Sequence, residues 1–493
     1  MAKFSFGEII AATGGLPSGA AAADTGMAVT GISTDTRTLK AGEAFFALIG
    51  ENHDAHGHLG EAADKGAALL VVSDAAGLPE GFAGAVLTVE DGLRAYQDLA
   101  AYYRKKIDPF VIAVTGSVGK TTVKDMIGCI LNGLEPENPA CGRVYCTQGN
   151  LNNQVGLPRT ILEAGEDTKI LVTEMGLAGK GDIERLAEIA LPDVAVITNV
   201  GLSHRENFDD DDGILYAKYE VAAFLGEGGT LVIDAGGNEK LDKLAMDGSR
   251  EKGFKLLRVA REGTMAAGSS RYTVTRARVC EKDPGVTLFE VSDGDCGEPV
   301  AFAVPVPGEY VGVSAALAAA ACKGAGVSLA SAAEALKNLK RTPHRLEPFV
   351  RGGMLVIDDT YNASPDSVKS GLDYLGSVPA KKRVAVLADM NELGGDSSAM
   401  HREIGAYAVG SGADRLYIYG EKAKSIADGA EEAAEGRLMP EIRYYGVDDK
   451  EAMIADLIKE AEEGNAVYVK GSRSMKMEEA VTALIGHAEG AEA

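Results

Sequence analysis

Hydrophobic positions along this chain gather in short runs of strand length, and between them apolar residues recur at helical spacing. Ahead of Lys106 the runs Ala44–Ile49, Ala68–Val72 and Ala85–Val89 alternate with helical stretches such as Asp91–Lys105. Asp108-Pro109 interrupts the pattern, because a proline restrains the residue before it and cannot continue a helix. Beyond it, Phe110–Val114, Ile170–Thr173, Val194–Thr198 and Leu231–Ile233 are uninterrupted apolar runs, the pattern of parallel strands buried on both faces, with a helix over Lys120–Leu131. Arg271–Val304, rich in β-formers and turns, predicts a small β insert, and the alanine-rich Gly312–Cys322 a buried helix. After Thr342-Pro343, five more runs (Met354–Ile357, Val384–Leu387, Leu416–Tyr419, Ile442–Tyr445 and Ala466–Val469) alternate with helices, as in a doubly wound sheet.

At 493 residues the chain is too long for one core. The pattern divides it into an α/β protein of three domains. Residues 1–107 form a small mixed α/β unit, 108–342 a central parallel sheet and 343–493 a Rossmann-like sheet. In open parallel sheets ligands collect beyond the carboxyl ends of the strands. Asp358-Asp359, Asp389 and Lys470-Gly471-Ser472-Arg473 all fall at such ends.

A formal charge of −24 argues against a nucleic-acid partner, since phosphate backbones need a basic surface. Local backbone N–H groups can still bind a phosphate on an acidic protein. No apolar run reaches the length of a membrane span, and MAKFSFGEII lacks the apolar core of a secretory signal. The six cysteines are scattered with no histidine cluster beside them. These features lead to the expectation of a cytoplasmic protein with reduced thiols, acting as a monomer.

The strongest local signal is Thr115-Gly116-Ser117-Val118-Gly119-Lys120-Thr121-Thr122, between a predicted strand and a predicted helix. Glycines let such a loop turn its N–H groups toward phosphate oxygens, and the helix N-terminus adds partial positive charge. Lys120 is placed to reach the β- and γ-phosphates, and the Thr121 hydroxyl to coordinate Mg²⁺. Val114 stands where the longer form of this motif has its first glycine, so the loop is the shorter G-x-x-G-K-T-T variant. A nucleotide triphosphate is the expected ligand.

From this loop onward the chain resembles the Mur ligases. Asn152-Asn153-Gln154-Val155-Gly156-Leu157-Pro158 is similar to the family's N-N-x-x-G-x-P segment, and Glu174-Met175-Gly176 follows a strand as the family's metal-binding glutamate does. Ile197-Thr198-Asn199 with Ser203-His204 resembles I-T-N…H, and Ala217-Lys218-Tyr219-Glu220 sits where the family carries a carbamylated lysine. Asp358-Asp359-Thr360-Tyr361-Asn362-Ala363-Ser364-Pro365, Leu387–Gly394, His401-Arg402 and Lys470–Met475 resemble the branch that adds D-alanyl-D-alanine. Ser33-Thr34-Asp35-Thr36-Arg37 is similar to the uridine-nucleotide-binding part. The chain departs from the family at Tyr310, Val311 and Ser314, in place of a histidine and two asparagines on the adenine side.

The resemblance implies an ADP-forming amide ligase that joins D-alanyl-D-alanine to UDP-N-acetylmuramoyl-tripeptide through an acyl phosphate, in peptidoglycan precursor synthesis. It implies ATP and two Mg²⁺ ions. Thr121 and Glu174 would hold one, and Glu174, His204 and a carbamate on Lys218 the other. Lys120, Asn199, His204, Lys218 and Arg345 are the implied catalytic set, with Asp359 on the ribose. Asn153, Asn362, Ser472 and Arg473 are candidates for substrate contacts, Arg473 because a guanidinium can hold a terminal carboxylate. Ser33, Asp35 and Arg37 are candidates for the nucleotide half of the acceptor, although Asp35 and Arg37 also read as a surface ion pair. Lys470 reads equally as structural. A diaminopimelate- or lysine-adding ligase, folylpolyglutamate synthase, and a regulator that hydrolyses ATP without ligation remain the alternatives.

Overall fold

The computed structural model describes residues 2–50, 53–134, 143–201, 208, 211–264, 272–294, 298–391, 393–434 and 439–492. The first part holds a five-stranded sheet of β1 (Leu16–Gly19), β2 (Ile32–Ser33), β3 (Ala44–Phe46), β4 (Leu69–Val72) and β5 (Ala85–Thr88), in the order β1-β5-β4-β3-β2. It is followed by α1 (Gly92–Ile107), started by the Asp91 carboxylate, which accepts from the N–H groups of Leu93 and Arg94.

The central sheet begins with β6 (Phe110–Thr115), whose residues point alternately into two cores. Val111 and Ala113 join a cluster that includes Leu99 and Tyr103 of α1. Ile112 and Val114 pack with Met126 and Ile130 of α2 (Lys120–Asn132). A strand buried on both faces explains its unbroken hydrophobic run. The next elements are β7 (Val144–Cys146), α3 (Gly156–Glu163), β8 (Ile170–Glu174), α4 (Asp182–Ala190), β9 (Val194–Ile197), α5 (Asp211–Tyr219), β10 (Thr230–Asp234) and β11 (Lys255–Arg261). Arg104 of α1 donates to the carbonyls of Ala190 and Leu191 at 2.8 and 2.9 Å, so the first part is tied to the end of α4.

The expected β insert is not separate. β12 (Tyr272–Val274), β13 (Arg278–Cys280), β14 (Asp283–Asp293) and β15 (Val300–Val304) extend the central sheet, with β12 parallel to β11. The order is β7-β8-β6-β9-β10-β11-β12-β14-β13, with β15 on β14, ten strands in all. The sequence pattern omitted β11, where charged ends frame a half-exposed run. α6 (Tyr310–Cys322) covers one face as a buried helix.

The last sheet contains β16 (Glu347–Arg351), β17 (Met354–Asp359), β18 (Lys382–Ala388), β19 (Arg415–Tyr419), β20 (Glu441–Tyr445) and β21 (Asn465–Lys470), with α7 (Pro365–Ser377) between β17 and β18. Its order is β16-β17-β21-β18-β19-β20, and all but β16 run parallel. β21 lies between β17 and β18, so the carboxyl ends of these three strands are neighbours. That arrangement brings Asp359 to Lys470.

Candidate active site

The phosphate-type loop leaves β6 at Thr115 and enters α2 at Lys120. Gly116 has φ +146°, and a Cβ there would lie 1.9 Å from the Thr198 hydroxyl. Gly119 has φ +84° and precedes the first turn of α2. The end of β9 fastens the loop. Asn199 Oδ1 accepts from the N–H groups of Ser117 and Val118 at 3.1 and 2.8 Å, and the Thr198 hydroxyl donates to the Val118 carbonyl at 2.6 Å. Asn199 therefore shapes the loop from behind. Lys120 Nζ bends back onto the Gly116 carbonyl at 2.8 Å.

Glu174 ends β8 one strand away. Its N–H donates to the Thr147 hydroxyl at 3.0 Å, and one carboxylate oxygen accepts from Asn152 at 2.8 Å. The other oxygen, Oε2, is buried and has no partner. A buried carboxylate oxygen left unsatisfied is costly unless a cation completes it. Thr121 lines the same cavity, and its hydroxyl and this carboxylate are oxygen donors of the kind that would hold a Mg²⁺. Among the described residues no three His, Cys, Asp or Glu side chains form a metal cage. His204, expected to hold a second ion, lies outside the described residues.

Lys218, near the end of α5, is 1% exposed. Burial first, and then the charge of Lys120, push its ammonium well below the usual lysine range. Glu220, two residues on, accepts from the Gly181 N–H at 2.9 Å at the start of α4.

The last sheet closes the other side. A cavity of about 410 Å³ is lined by Ser117–Thr122, Asn152 and Glu174 from the central sheet and by Arg345, Asp359 and Asn362 from the last part. The Arg345 guanidinium lies 4.3 Å over the Tyr361 ring. Lys120 senses both Glu174 and Arg345, and burial lowers its pKa. Asp359 is engaged internally, accepting from Lys470 at 2.5 Å, Tyr468 at 3.1 Å and the Leu346 N–H at 3.2 Å.

Several of the expected site residues make bonds within the chain. Thr115 is in the sheet, donating to the Met175 carbonyl. Asn153 caps α3 through the Gly156 N–H at 2.8 Å, and its neighbour Asn152 is the one that meets Glu174. Ser472 accepts from the Asn391 N–H, and Arg473 is exposed and paired with Glu478 at 3.2 Å. Asp35 and Arg37 bond each other at 2.7 Å on the surface, with the Ser33 hydroxyl donating to the Asp35 carbonyl. Asp389, expected at the strand ends, accepts from the Ala423 N–H. The sequence reading did not single out Asp234 and Arg261, which line the cavity beyond the ends of β10 and β11. For Asp234 the available signal was its position just after the Leu231–Ile233 run, at the carboxyl end of a parallel strand; Arg261 had none, because the sequence pattern omits β11.

Two family models match this chain. The Mur ligase middle domain covers residues 114–322, and the Mur ligase glutamate ligase domain covers residues 344–473. The chain belongs to the Mur ligase family. Within it, this Mur ligase is 35% identical over 460 residues to UDP-N-acetylmuramoyl-tripeptide–D-alanyl-D-alanine ligase of Bacillus subtilis, covering 93% of each chain. Its fold matches crystal structure I of MurF from Acinetobacter baumannii with a TM-score of 0.85 at 26% identity over 99% of each chain. It also matches MurF ligase from Thermotoga maritima in complex with ADP, with a TM-score of 0.79 and 26% identity, covering 94% of this chain and 98% of that one. Among the described residues of this Mur ligase no helix is long and apolar enough to cross a membrane.

Proposed function

We propose that this Mur ligase joins D-alanyl-D-alanine to UDP-N-acetylmuramoyl-tripeptide with conversion of ATP to ADP and phosphate, in the cytoplasm and as a monomer. The reading rests on one observation above the rest: a single cavity faces the phosphate-type loop and Glu174 on one side and Arg345 and Asn362 on the other. The like-named Bacillus subtilis relative supplies the substrate pair. A carboxylate oxygen of the acceptor peptide bonds to the γ-phosphorus, the bond from that phosphorus to the bridging oxygen breaks, and ADP leaves. The amine nitrogen then bonds to the acyl carbon, the C–O bond to phosphate breaks, and the amine proton passes to solvent.

In this scheme the N–H groups at the start of α2 and Lys120 hold the triphosphate, and Arg345 meets the charge that develops on the γ-phosphate. Thr121 and Glu174 would hold one Mg²⁺. Lys218, as a carbamate, would join Glu174 and His204 in holding a second. Such ions would screen the negative charges that both steps bring together. Burial favours the neutral lysine, the form that reacts with CO₂. Asn199 acts by keeping the loop in shape. Asp359 is assigned to the ribose, and Asn362, Ser472 and Arg473 to the amine. Asn153 and the Ser33, Asp35 and Arg37 group are assigned to the acceptor.

A ligation assay with a panel of amines (D-alanyl-D-alanine, meso-diaminopimelate, lysine, glutamate) tests the reading. Phosphate release that requires both UDP-N-acetylmuramoyl-tripeptide and D-alanyl-D-alanine is expected. Release without either substrate would instead mark a nucleotide-hydrolysing regulator, and preference for another amine a different ligase.

A further inference from the structure

Arg345 sits in an unusual stretch of backbone. The residues on both sides of it, His344 and Leu346, adopt left-handed φ values of +61° and +47°. That region is unfavourable for any residue with a Cβ, and glycine is its ordinary occupant. Two such departures separated by one residue persist only where surrounding contacts over-determine them.

Most of those contacts come from the end of β17 and the turn after it, and the His344 N–H also donates to a Glu347 carboxylate oxygen on β16 at 3.2 Å. His344 Nδ1 lies 2.8 Å from Asp358 Oδ2, while the other Asp358 oxygen accepts from the Thr360 hydroxyl at 2.7 Å and N–H at 3.1 Å. The His344 carbonyl accepts from the Tyr361 N–H at 3.1 Å, and the Leu346 N–H donates to Asp359 at 3.2 Å. Arg345 is thus held at both flanks by the strand end that also carries Tyr361, the ring under its guanidinium. Arg345 Nε is buried with no hydrogen-bond partner, so no polar contact at that nitrogen helps to set the side chain. The stack and the two pinned neighbours do so.

We propose that His344 and Tyr361 are positioning residues that fix where Arg345 presents its charge to the cavity. His344 acts through its ring bond to Asp358, and Tyr361 through its face. The proposal rests on the reading of Arg345 as the cation for the γ-phosphate. A histidine here accepts the backbone strain that a glycine would avoid, and gains a side-chain anchor that glycine lacks.

The test is steady-state ligation by the full chain, with ATP and amine varied separately and each variant checked by thermal melting. Arg345→Ala is the reference. His344→Ala should lower kcat at least about tenfold with KM for D-alanyl-D-alanine within twofold of the parent. His344→Asn, which tolerates a left-handed φ and still reaches Asp358, should recover to within about threefold. His344→Gly should stay as impaired as His344→Ala, and a fully active His344→Gly would overturn the proposal. The double variant His344→Ala/Arg345→Ala should be no slower than Arg345→Ala alone, and additive losses would refute action through Arg345. Should His344→Ala not fold, Tyr361→Phe against Tyr361→Leu carries the test: Phe should match the parent and Leu fall at least about fivefold, and equal rates overturn the clamp. An active Arg345→Ala would remove the underlying reading itself. A dead Arg345→Ala beside an active His344→Ala would remove the clamp alone.

Discussion

Lys218 and Lys470 are both buried almost completely, and they are held in opposite ways. Lys470, 2% exposed at the end of β21, lies 2.5 Å from an Asp359 oxygen and 2.9 Å from the Asn362 carbonyl. Burial pushes Lys470 down and Asp359 up, and their mutual attraction works against both shifts. Lys218, 1% exposed on α5, has burial working in the same direction, but among the described residues the charge it senses is that of Lys120, another cation. One lysine is a structural half of an ion pair. The other is held in surroundings that favour its uncharged, nucleophilic form. The comparison teaches that burial alone does not mark a functional lysine; the sign of what stands beside it does.

The largest effect is expected from Lys218→Ala. If Lys218 carries the proposed carbamate, ligation should fall at least about a thousandfold in this variant, since a metal ligand beside the reacting charge stabilises the transition state by several kcal/mol. A short-chain carboxylic acid supplied in the assay should restore part of the rate. Full activity of the variant would sink the carbamate proposal and with it the contrast between the two lysines.

Next comes Lys470→Met, whose effect is on stability. It leaves the Asp359 carboxylate buried beside Tyr468 without its cation, which should cost about 3 kcal/mol in urea unfolding of the last part. Adding Asp359→Asn should recover much of that loss, because an amide needs no counter-charge. Equal destabilisation by the single and double variants would show that Lys470 acts by packing and not as the partner of Asp359.

The lysine contrast was only partly legible in the sequence. Four of the five parallel strands of the last sheet announced themselves by unbroken apolar runs, that of β20 being interrupted by Arg443, and the carboxyl ends of the sheet carry Asp359 and Lys470 as topology demands. What lies beside each lysine depends on strand order: β21 inserts between β17 and β18, and no local pattern encodes that crossover. Adjacent asparagines show the same limit. Asn152 and Asn153 are equal as letters, but the start of α3 turns one to cap the helix and the other toward Glu174. The strained pair around Arg345 was invisible too, because histidine and leucine give no hint of a left-handed backbone. The phosphate-type loop was the most legible feature, since glycine spacing, lysine and flanking elements all lie within one short segment.

Asp234 is the acidic counterpart of Lys218. Burial raises its pKa from 3.8 to about 6, against the opposing pull of Arg261 and the Gly237 N–H. A carboxyl raised on folding contributes stability below its unfolded pKa that is lost as pH rises through the folded value. Asp234→Asn should therefore match the parent near pH 4, gain between pH 4 and 6, and be more stable by about 2 kcal/mol above that. Paired melts across this range check it. A constant difference at every pH would mean that Asp234 is as well solvated in the folded chain as in the unfolded one.

The smallest effect is the most discriminating for the two lysines. Lys218→Met makes the same exchange as Lys470→Met, an ammonium for a thioether of similar length, at a site of equal burial. If no carboxylate depends on Lys218, the exchange strands no charge and removes a group whose protonation burial opposes. Stability in buffer freed of carbon dioxide should then change by under about 1 kcal/mol, or rise slightly. The same variant should be inactive in ligation. A loss as large as that of Lys470→Met would show that Lys218 is a structural cation after all, with an anionic partner that its own protonated form must satisfy.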